Sequence, residues 1–350
     1  MSAAAPLDLD AIAAWLGERV EGFGGPMQVR QFAGGQSNPT FLLTTPGGRF
    51  VLRRKPPGEL LKSAHAVDRE FAVQEALAGS DVPVAPMRIL CEDESVIGTA
   101  FYVMDHVPGR NFDDPRLPGL TSDERAAIYD EMGRVLAAIH TVDVDRAGLS
   151  DYGRAGDYFA RQIGRWTRQY RASASAPSRD MDRLIAWLEA HQPPDDGRRT
   201  LVHGDFRIDN LLFAEEGPQC VAVLDWELST LGHPLADLAA LLMQWRLPPG
   251  EQGRGLGGVD RTALGLPSDE AFVASYFART RTPPQDLSFP IAFCFFRMAA
   301  ILEGVKARGL QGNAANPARA AQLGAMVPLY IQGGLKAADG NDGQTVTDGP

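Results

Sequence analysis

The sequence predicts an α+β protein of two unequal lobes. Three observations carry that reading: strand-like pieces crowd the first third, helical periodicity dominates from residue 122 onward, and short strand pairs return only around 200–227. These patterns place a small β-rich lobe at residues 1–107, a larger helical lobe at 108–336 and a disordered tail at 337–350.

Leu9, Ile12, Leu16 and Val20 recur at helical spacing after Asp8, which predicts an amphipathic helix over residues 8–20. Three strands follow, "MQVRQFA", "PTFLLTT" and "RFVLRRK", the last two joined by a "PGG" turn. Residues 63–79 read as a helix with Ser63 as N-cap and Gly79 as its stop. "SVIG" and "AFYVMDHV" look like two more strands. No internal repeat is visible; "GEQGRGLGG" (250–258) reads as a surface loop and "DGNDGQTVTDGP" as the disordered tail.

Composition narrows the class. A chain of 350 residues, 44% apolar and 22% charged, is long enough for two substantial cores. Its start lacks a basic region and carries Asp8 and Asp10 within the apolar stretch, which argues against a signal peptide. The longest apolar run, "FPIAFCFFRMAAIL", is cut by Arg297 and is expected to be too short to span a bilayer, so no membrane partner is expected. Cys91, Cys220 and Cys294 are odd in number and form no CxxC pair, which suits reduced thiols in a cytoplasmic protein. A formal charge of −10 argues against sequence-independent nucleic-acid binding.

The stretch "LVHGDFRIDNLLF" (201–213) sets a histidine, two aspartates, an arginine and an asparagine between apolar pieces that suit strand ends. Downstream, "CVAVLDWELST" is a buried-strand run ending in Asp225 and Glu227. Phosphoryl transfer from ATP needs this inventory: one carboxylate to orient the attacking hydroxyl and take its proton, and an Asn oxygen with a second carboxylate to hold Mg2+ against the phosphates. An isolated H-x-D would read as a polar turn with local backbone bonds. The spaced H-x-D-x4-N joined to an Asp at a strand end favours catalysis.

H-x-D-x-x-x-x-N matches the catalytic loop of protein-kinase-like enzymes. "HGDFRIDNLLF" with "VLDWELSTLGHPLADLA" resembles the aminoglycoside phosphotransferase and choline kinase-like superfamily. The resemblance implies a protein-kinase-like bilobal fold and ATP and Mg2+ as cofactors. It makes Asp205 the catalytic base, Asn210 a Mg2+ ligand and Asp225 the counterpart of the Asp in the kinase D-F-G. Trp226 and Glu227 replace the Phe and Gly, and Glu227 is a further candidate metal contact. His203 would brace the loop, and Arg207 falls where many kinases have a lysine facing the transferring phosphate. Asp237 would buttress the loop or cap a helix.

A lobe of that kind should offer a Gly-rich turn, a strand cation and a helix glutamate. "AGGQSNPT" supplies Gly34 and Gly35 for close approach to phosphates, with Gln36, Ser37 and Asn38 as donors, though it also suits a plain hairpin turn. Arg53 stands in the place of the kinase lysine, sharing a strand face with Val51 and Lys55. Its helix partner would be Glu70, with Glu75 as competitor. In "FYVMDHVPGR" the backbone groups of Asp105 and Val107 would bond adenine and Met104 would line its pocket; the same stretch also suits a core strand and turn.

Several stretches, among them "FVLRRKPPGELL" and "FRMAAILEGVKARGLQGNAAN", are similar to the kinase-like domain of acyl-CoA dehydrogenase family members ten and eleven and their free-standing bacterial relatives. That branch implies a 4-hydroxyacyl-CoA as acceptor, with any later elimination falling to a separate acyl-CoA dehydrogenase. Alternatives are a kinase of an aminoglycoside, choline or similar small alcohol, and a nucleotide-binding module without turnover, which the presence of Asp205, Asn210 and Asp225 disfavours. Arg161, Arg165, Arg168 and Arg171 fall on one helix face. They are candidates to hold the phosphates of CoA, or else a solvated basic face.

Overall fold

A computed structural model describes residues 7–32, 38–56, 66–154, 156–250, 254–313 and 316–340. In chain order these form α1 (Leu9–Gly17), β1 (Gln28–Gln31), β2 (Thr40–Thr45), β3 (Gly48–Arg54), α2 (Val67–Ala76), β4 (Met87–Cys91) and β5 (Phe101–Asp105). Then come α3 (Ser122–His140), α4 (Tyr158–Ser173), α5 (Arg179–Ala190), β6 (Thr200–Val202), β7 (Leu211–Phe213), β8 (Cys220–Val223) and β9 (Thr230–Gly232). The rest is helical: α6 (Leu235–Trp245), α7 (Arg261–Leu264), α8 (Asp269–Thr280), α9 (Ser288–Leu310), α10 (Pro317–Ala325) and α11 (Val327–Ala338).

The chain divides into two compact units. Unit 1 comprises residues 1–111, 145–149 and 210–229; unit 2 comprises 112–144, 150–209 and 230–350. This differs from a single cut after residue 107, because the β7–β8 hairpin packs with the first unit although it lies deep in the second half of the sequence. The last helix runs to Ala338, and residues 341–350 of the expected tail lie outside the described residues.

Unit 1 is built on an antiparallel sheet of order β1-β2-β3-β5-β4. Side chains alternate across it. Phe41, Leu43, Phe50, Leu52, Phe101 and Val103 meet Ile12 and Leu16 of α1 on one face. Tyr102 and Ala100 meet Val67 and Phe71 of α2 on the other. α1 starts where Asp8 accepts the Ala11 amide at 3.0 Å. α2 begins at Val67, later than expected, and Ser63 lies outside the described residues. "SVIG" is not a strand: Asp93 accepts the Ser95 amide at 2.9 Å and the Gly98 amide bonds Glu94 at 2.7 Å, closing turns instead. The strand beside β5 is β4, which lies earlier.

In the same unit, β7 pairs with β8 so that Leu211 faces Val223. Arg110 crosses to this hairpin, exchanging backbone bonds with Phe213 and donating its guanidinium to Ala214 and Gly217 carbonyls at 2.9 and 2.7 Å. Gly109 has to be glycine there, since a Cβ would lie 2.5 Å from the Phe213 oxygen.

Unit 2 gathers its helices around α9, which packs against α4, α5, α6, α10 and α11. At 23 residues α9 is longer than the apolar run suggested, and by length and composition it could cross a bilayer. However, 72% of its apolar window is buried inside the unit, as in the core helix of a globular domain. β6 and β9 form a two-stranded ladder with Leu201 opposite Leu231. Of the 250–258 stretch, residues 251–253 are outside the described set, and Gly255 and Leu256 are buried rather than at the surface.

Candidate active site

The expected residues fall into two groups, one in each unit. In unit 1 the centre is Arg53. Strand alternation turns Arg53 to the α2 side of the sheet, opposite Tyr102 on β5. Its Nε lies 2.7 Å from Glu70 Oε2, close enough for an ion pair although not aligned as a hydrogen bond. Its Nη2 donates to Asp225 Oδ1 at 2.7 Å and lies 3.9 Å from Glu227. Glu70 is 1% exposed and also accepts from Asn38 Nδ2 at 2.6 Å and from the Tyr102 hydroxyl at 3.2 Å. Burial pushes the Glu70 carboxyl up, and Arg53 pulls against it.

The alternatives resolve on geometry. Lys55 is half-buried and comes only within 4.0 Å of Asp68, while Glu75 is exposed. Arg53 and Glu70 are therefore the pair. Asn38 is a correction to the expected phosphate contacts: it is fully buried and its amide is spent on Glu70. Gly34, Gly35 and Ser37 lie outside the described residues. The Asp105 amide donates to Pro86 at 2.9 Å, so of its backbone groups only the carbonyl can serve a base; its carboxylate is held by Arg88 at 2.7 and 2.8 Å. Met104 is half-buried against the Val67–Tyr102 cluster, and Val107 follows β5 in an irregular segment.

The β7–β8 hairpin sets Asn210 and Asp225 at one end of one ladder. Asn210 precedes β7 and its carbonyl accepts the Leu224 amide at 2.8 Å, next to Asp225. Asp225 itself is left-handed, φ 63 and ψ 60, a conformation that is strained for an aspartate and that sequence patterns cannot reveal. Asn210, Asp225 and Glu227 offer only oxygens, which suits Mg2+. Among the described residues no cluster of three His, Cys, Asp or Glu side chains could hold a metal unaided. An Asn oxygen, one or two carboxylates and nucleotide phosphates would suffice for Mg2+.

In unit 2 the loop after β6 is locked from beneath. Asp237, in the first turn of α6, accepts the His203 amide at 2.6 Å and the Gly204 amide at 2.9 Å. His140 closes from the other side, Nε2 3.4 Å from Asp237 and Nδ1 2.7 Å from the Tyr276 hydroxyl. Asp237 thus buttresses the loop, and the N-cap position belongs to Pro234. Gly204 holds φ 85, which a side chain would resist. His203, fully buried, accepts the Asp205 amide on Nδ1 at 3.3 Å. The lock leaves Asp205 on the wall of a cavity of about 290 Å3, together with Arg207, Arg254, Arg297, Arg319 and Tyr330. Arg207 Nε is 3.4 Å from Asp205, a charge contact without hydrogen-bond alignment. Its Nη2 is 3.1 Å from Asp209, which also pairs with Arg254.

Arg297, Arg254 and Arg319 were not among the expected site residues. The interruption of the apolar run by Arg297 was a legible signal; Arg254 and Arg319 left none. The Arg161, Arg165, Arg168 and Arg171 stripe does not line this cavity. Arg161 binds Gly156 and Arg154 carbonyls, Arg165 lies over the Trp166 ring, and Arg168 and Arg171 are exposed. A larger cavity of about 600 Å3, walled by Tyr170, Glu303, Lys306 and Ile331, contains none of the expected residues.

Residues 28–276 match the model of the phosphotransferase enzyme family. The chain belongs to that family. The phosphotransferase is 48% identical over 294 residues to acyl-CoA dehydrogenase family member 10 of Mus musculus, covering 83% of this chain and 27% of that protein. It is 43% identical over 317 residues to acyl-CoA dehydrogenase family member 11 of Mus musculus, covering 87% of this chain and 40% of that one. It therefore spans only about a quarter to two fifths of these curated relatives. A solved Ralstonia eutropha structure, assigned by name to the aminoglycoside phosphotransferases, is 48% identical, with a TM-score of 0.88 over 96% of this chain and 99% of that one. Choline kinase of Cryptosporidium parvum, 14% identical with a TM-score of 0.61 over 96% and 98%, shares the fold alone. The phosphotransferase accordingly has the protein-kinase-like fold expected from its sequence, and it is a small-molecule kinase by family.

Arg53→Ala should destabilise unit 1 by about 3–5 kcal/mol, because it strands a buried carboxylate. Lys55→Ala should cost no more than about 1 kcal/mol. Denaturant titration of both variants checks this, and the reverse order would overturn the strand register.

Burial pushes the Asp237 carboxyl up, but its hydrogen bonds and the neighbouring His140 and His203 hold it below the usual range. A depressed folded value means stability that is present above the unfolded value of about 3.9 and lost as pH falls through the folded one. The stability gap between the native protein and Asp237→Asn should be wide at neutral pH and shrink in acid. A gap that is constant with pH would contradict the assignment.

Proposed function

We propose that this phosphotransferase transfers the γ-phosphoryl group of ATP to the hydroxyl of a 4-hydroxyacyl-CoA. The observation that carries the kinase half of the reading is Arg53 joined at once to Glu70 and Asp225, a strand cation paired with a helix glutamate and with the acid that follows β8. The acceptor half is supported by the identity to two relatives named as acyl-CoA dehydrogenases. An acyl-CoA dehydrogenase acting on the product fits the same reading, since both relatives carry that name. Three buried free cysteines suit a cytoplasmic enzyme.

In this mechanism the acceptor oxygen attacks the γ-phosphorus while Asp205 takes the hydroxyl proton. The bond from the γ-phosphorus to the bridging oxygen breaks, and ADP leaves with that electron pair. Asn210 and Asp225, with Glu227 beside them, would hold Mg2+, and the ion would supply charge neutralisation for the nucleotide phosphates. Arg53 contacts the nucleotide phosphates and keeps its grip on Glu70, a double role that a planar guanidinium can fill. Arg207 faces the transferring phosphoryl group, and His203 holds the loop in shape.

The name of the Ralstonia relative makes an aminoglycoside the rival acceptor. Asp205→Asn should lower kcat by about 10²–10⁴-fold with little change in nucleotide affinity. Asp225→Ala should abolish turnover and weaken Mg2+-dependent nucleotide binding while the fold persists. Steady-state kinetics with a short 4-hydroxyacyl-CoA, paired with nucleotide titration, measures both. Full activity in a folded Asp225→Ala protein would remove the metal assignment.

A further inference from the structure

Helix α9 is the long apolar helix of unit 2, and Arg297 sits in its middle among buried Phe293, Phe295, Phe296, Ala299 and Ala300. A guanidinium in such company costs free energy unless its donors are used. The Tyr158 hydroxyl is its first electrostatic neighbour, and among the described residues no carboxylate lies within 4.0 Å of it. Arg297 also lines the Asp205 cavity. Asp209 pairs with both Arg207 and Arg254, Asp205 is the one acid on the wall, and Arg319 adds another cation. Positive charge around the cavity therefore exceeds negative by two, in a chain whose formal charge is −10.

Such a wall repels cationic alcohols and attracts oxygen-rich ones. At about 290 Å3 the cavity takes the reacting end of an acceptor rather than a whole large one. We propose that Arg297 is the specificity-determining residue of the acceptor site, donating to a carbonyl or carboxyl oxygen close to the hydroxyl that Asp205 receives. Resting on the acceptor reading above, this oxygen is the thioester carbonyl, whose carbon is three bonds from the hydroxyl-bearing carbon of a 4-hydroxyacyl chain. Arg297 thereby selects hydroxyacyl thioesters and refuses choline and aminoglycosides.

The test compares the native enzyme with Arg297→Met and Arg297→Lys, using a short 4-hydroxyacyl-CoA, the free 4-hydroxy acid and choline as acceptors. Arg297→Met should raise the KM for the acyl-CoA on the order of 10- to 100-fold, as loss of one charge-assisted hydrogen bond does, with the KM for ATP unchanged. Arg297→Lys should recover part of the loss, and the preference for acyl-CoA over choline should collapse in Arg297→Met. A folded Arg297→Met enzyme with unchanged acceptor KM, or with ATP and acceptor impaired alike, overturns the inference. Should Arg297→Met fail to fold, Arg319→Glu on the exposed side of α10 replaces it; it should raise the acyl-CoA KM most at low salt, and no change would again overturn the inference. A native enzyme that phosphorylates choline and no hydroxyacyl-CoA removes the acceptor reading itself. One that uses hydroxyacyl-CoA but ignores Arg297 removes only this inference.

Discussion

A buried guanidinium has to be paired, and in unit 1 three elements are tied together by satisfying Arg53. The sheet presents it from β3, α2 answers with Glu70, and the turn after β8 answers with Asp225. Glu70 in turn draws in Asn38 and Tyr102, so the segment that leads into β2 and the strand opposite β3 are committed to the same charge. Removing one member leaves an opposite charge stranded in a low-dielectric setting, which costs more than any one hydrogen bond contributes. The β7–β8 hairpin, distant in sequence, packs in unit 1 through Arg110 and the backbone of Val223, which stitch it to the first 111 residues.

The loop bearing Asp205 follows a different principle. Its shape depends on the backbone, with Gly204 left-handed and two successive amides pointing at Asp237. Asp237 is itself fixed by α6 and His140, so the geometry of the loop is inherited from helix packing in unit 2. Asp205 then lines a cavity wall among arginines while the shape of its loop rests on Asp237. The division of labour is clear: Asp237 is buried and structural, while Asp205 is accessible.

Much of this was legible in the sequence because it rests on periodicity and spacing. Strand alternation put Arg53 and Lys55 on one face, and Pro56, which ends the ladder, favoured Arg53; Val67 and Phe71, flanking Glu70, favoured it over Glu75. H-x-D-x4-N with a downstream acid located the loop and the hairpin end. What escaped depends on side chains meeting across long separations or on turn chemistry. β4 was hidden by Pro83, Pro86 and the charged Arg88, while Val96 and Ile97 looked strand-like although Asp93 closes a turn there. Of the arginines around Asp205, Arg207 sits on the same loop and the other three come from three separate helical or loop segments, of which only Arg297 carried a local anomaly. The Arg161–Arg171 stripe shows the converse: correct helical spacing on residues that do not line the cavity.

Phosphorus NMR of the purified enzyme with ATP, Mg2+ and a short 4-hydroxyacyl-CoA tests the proposed phosphoryl transfer to an acyl-CoA hydroxyl most directly. A new phosphate monoester resonance on the acyl chain, growing in step with ADP and absent when Mg2+ is chelated, is the expected result. ADP release without a monoester, or a monoester formed only on choline or an aminoglycoside, would contradict it.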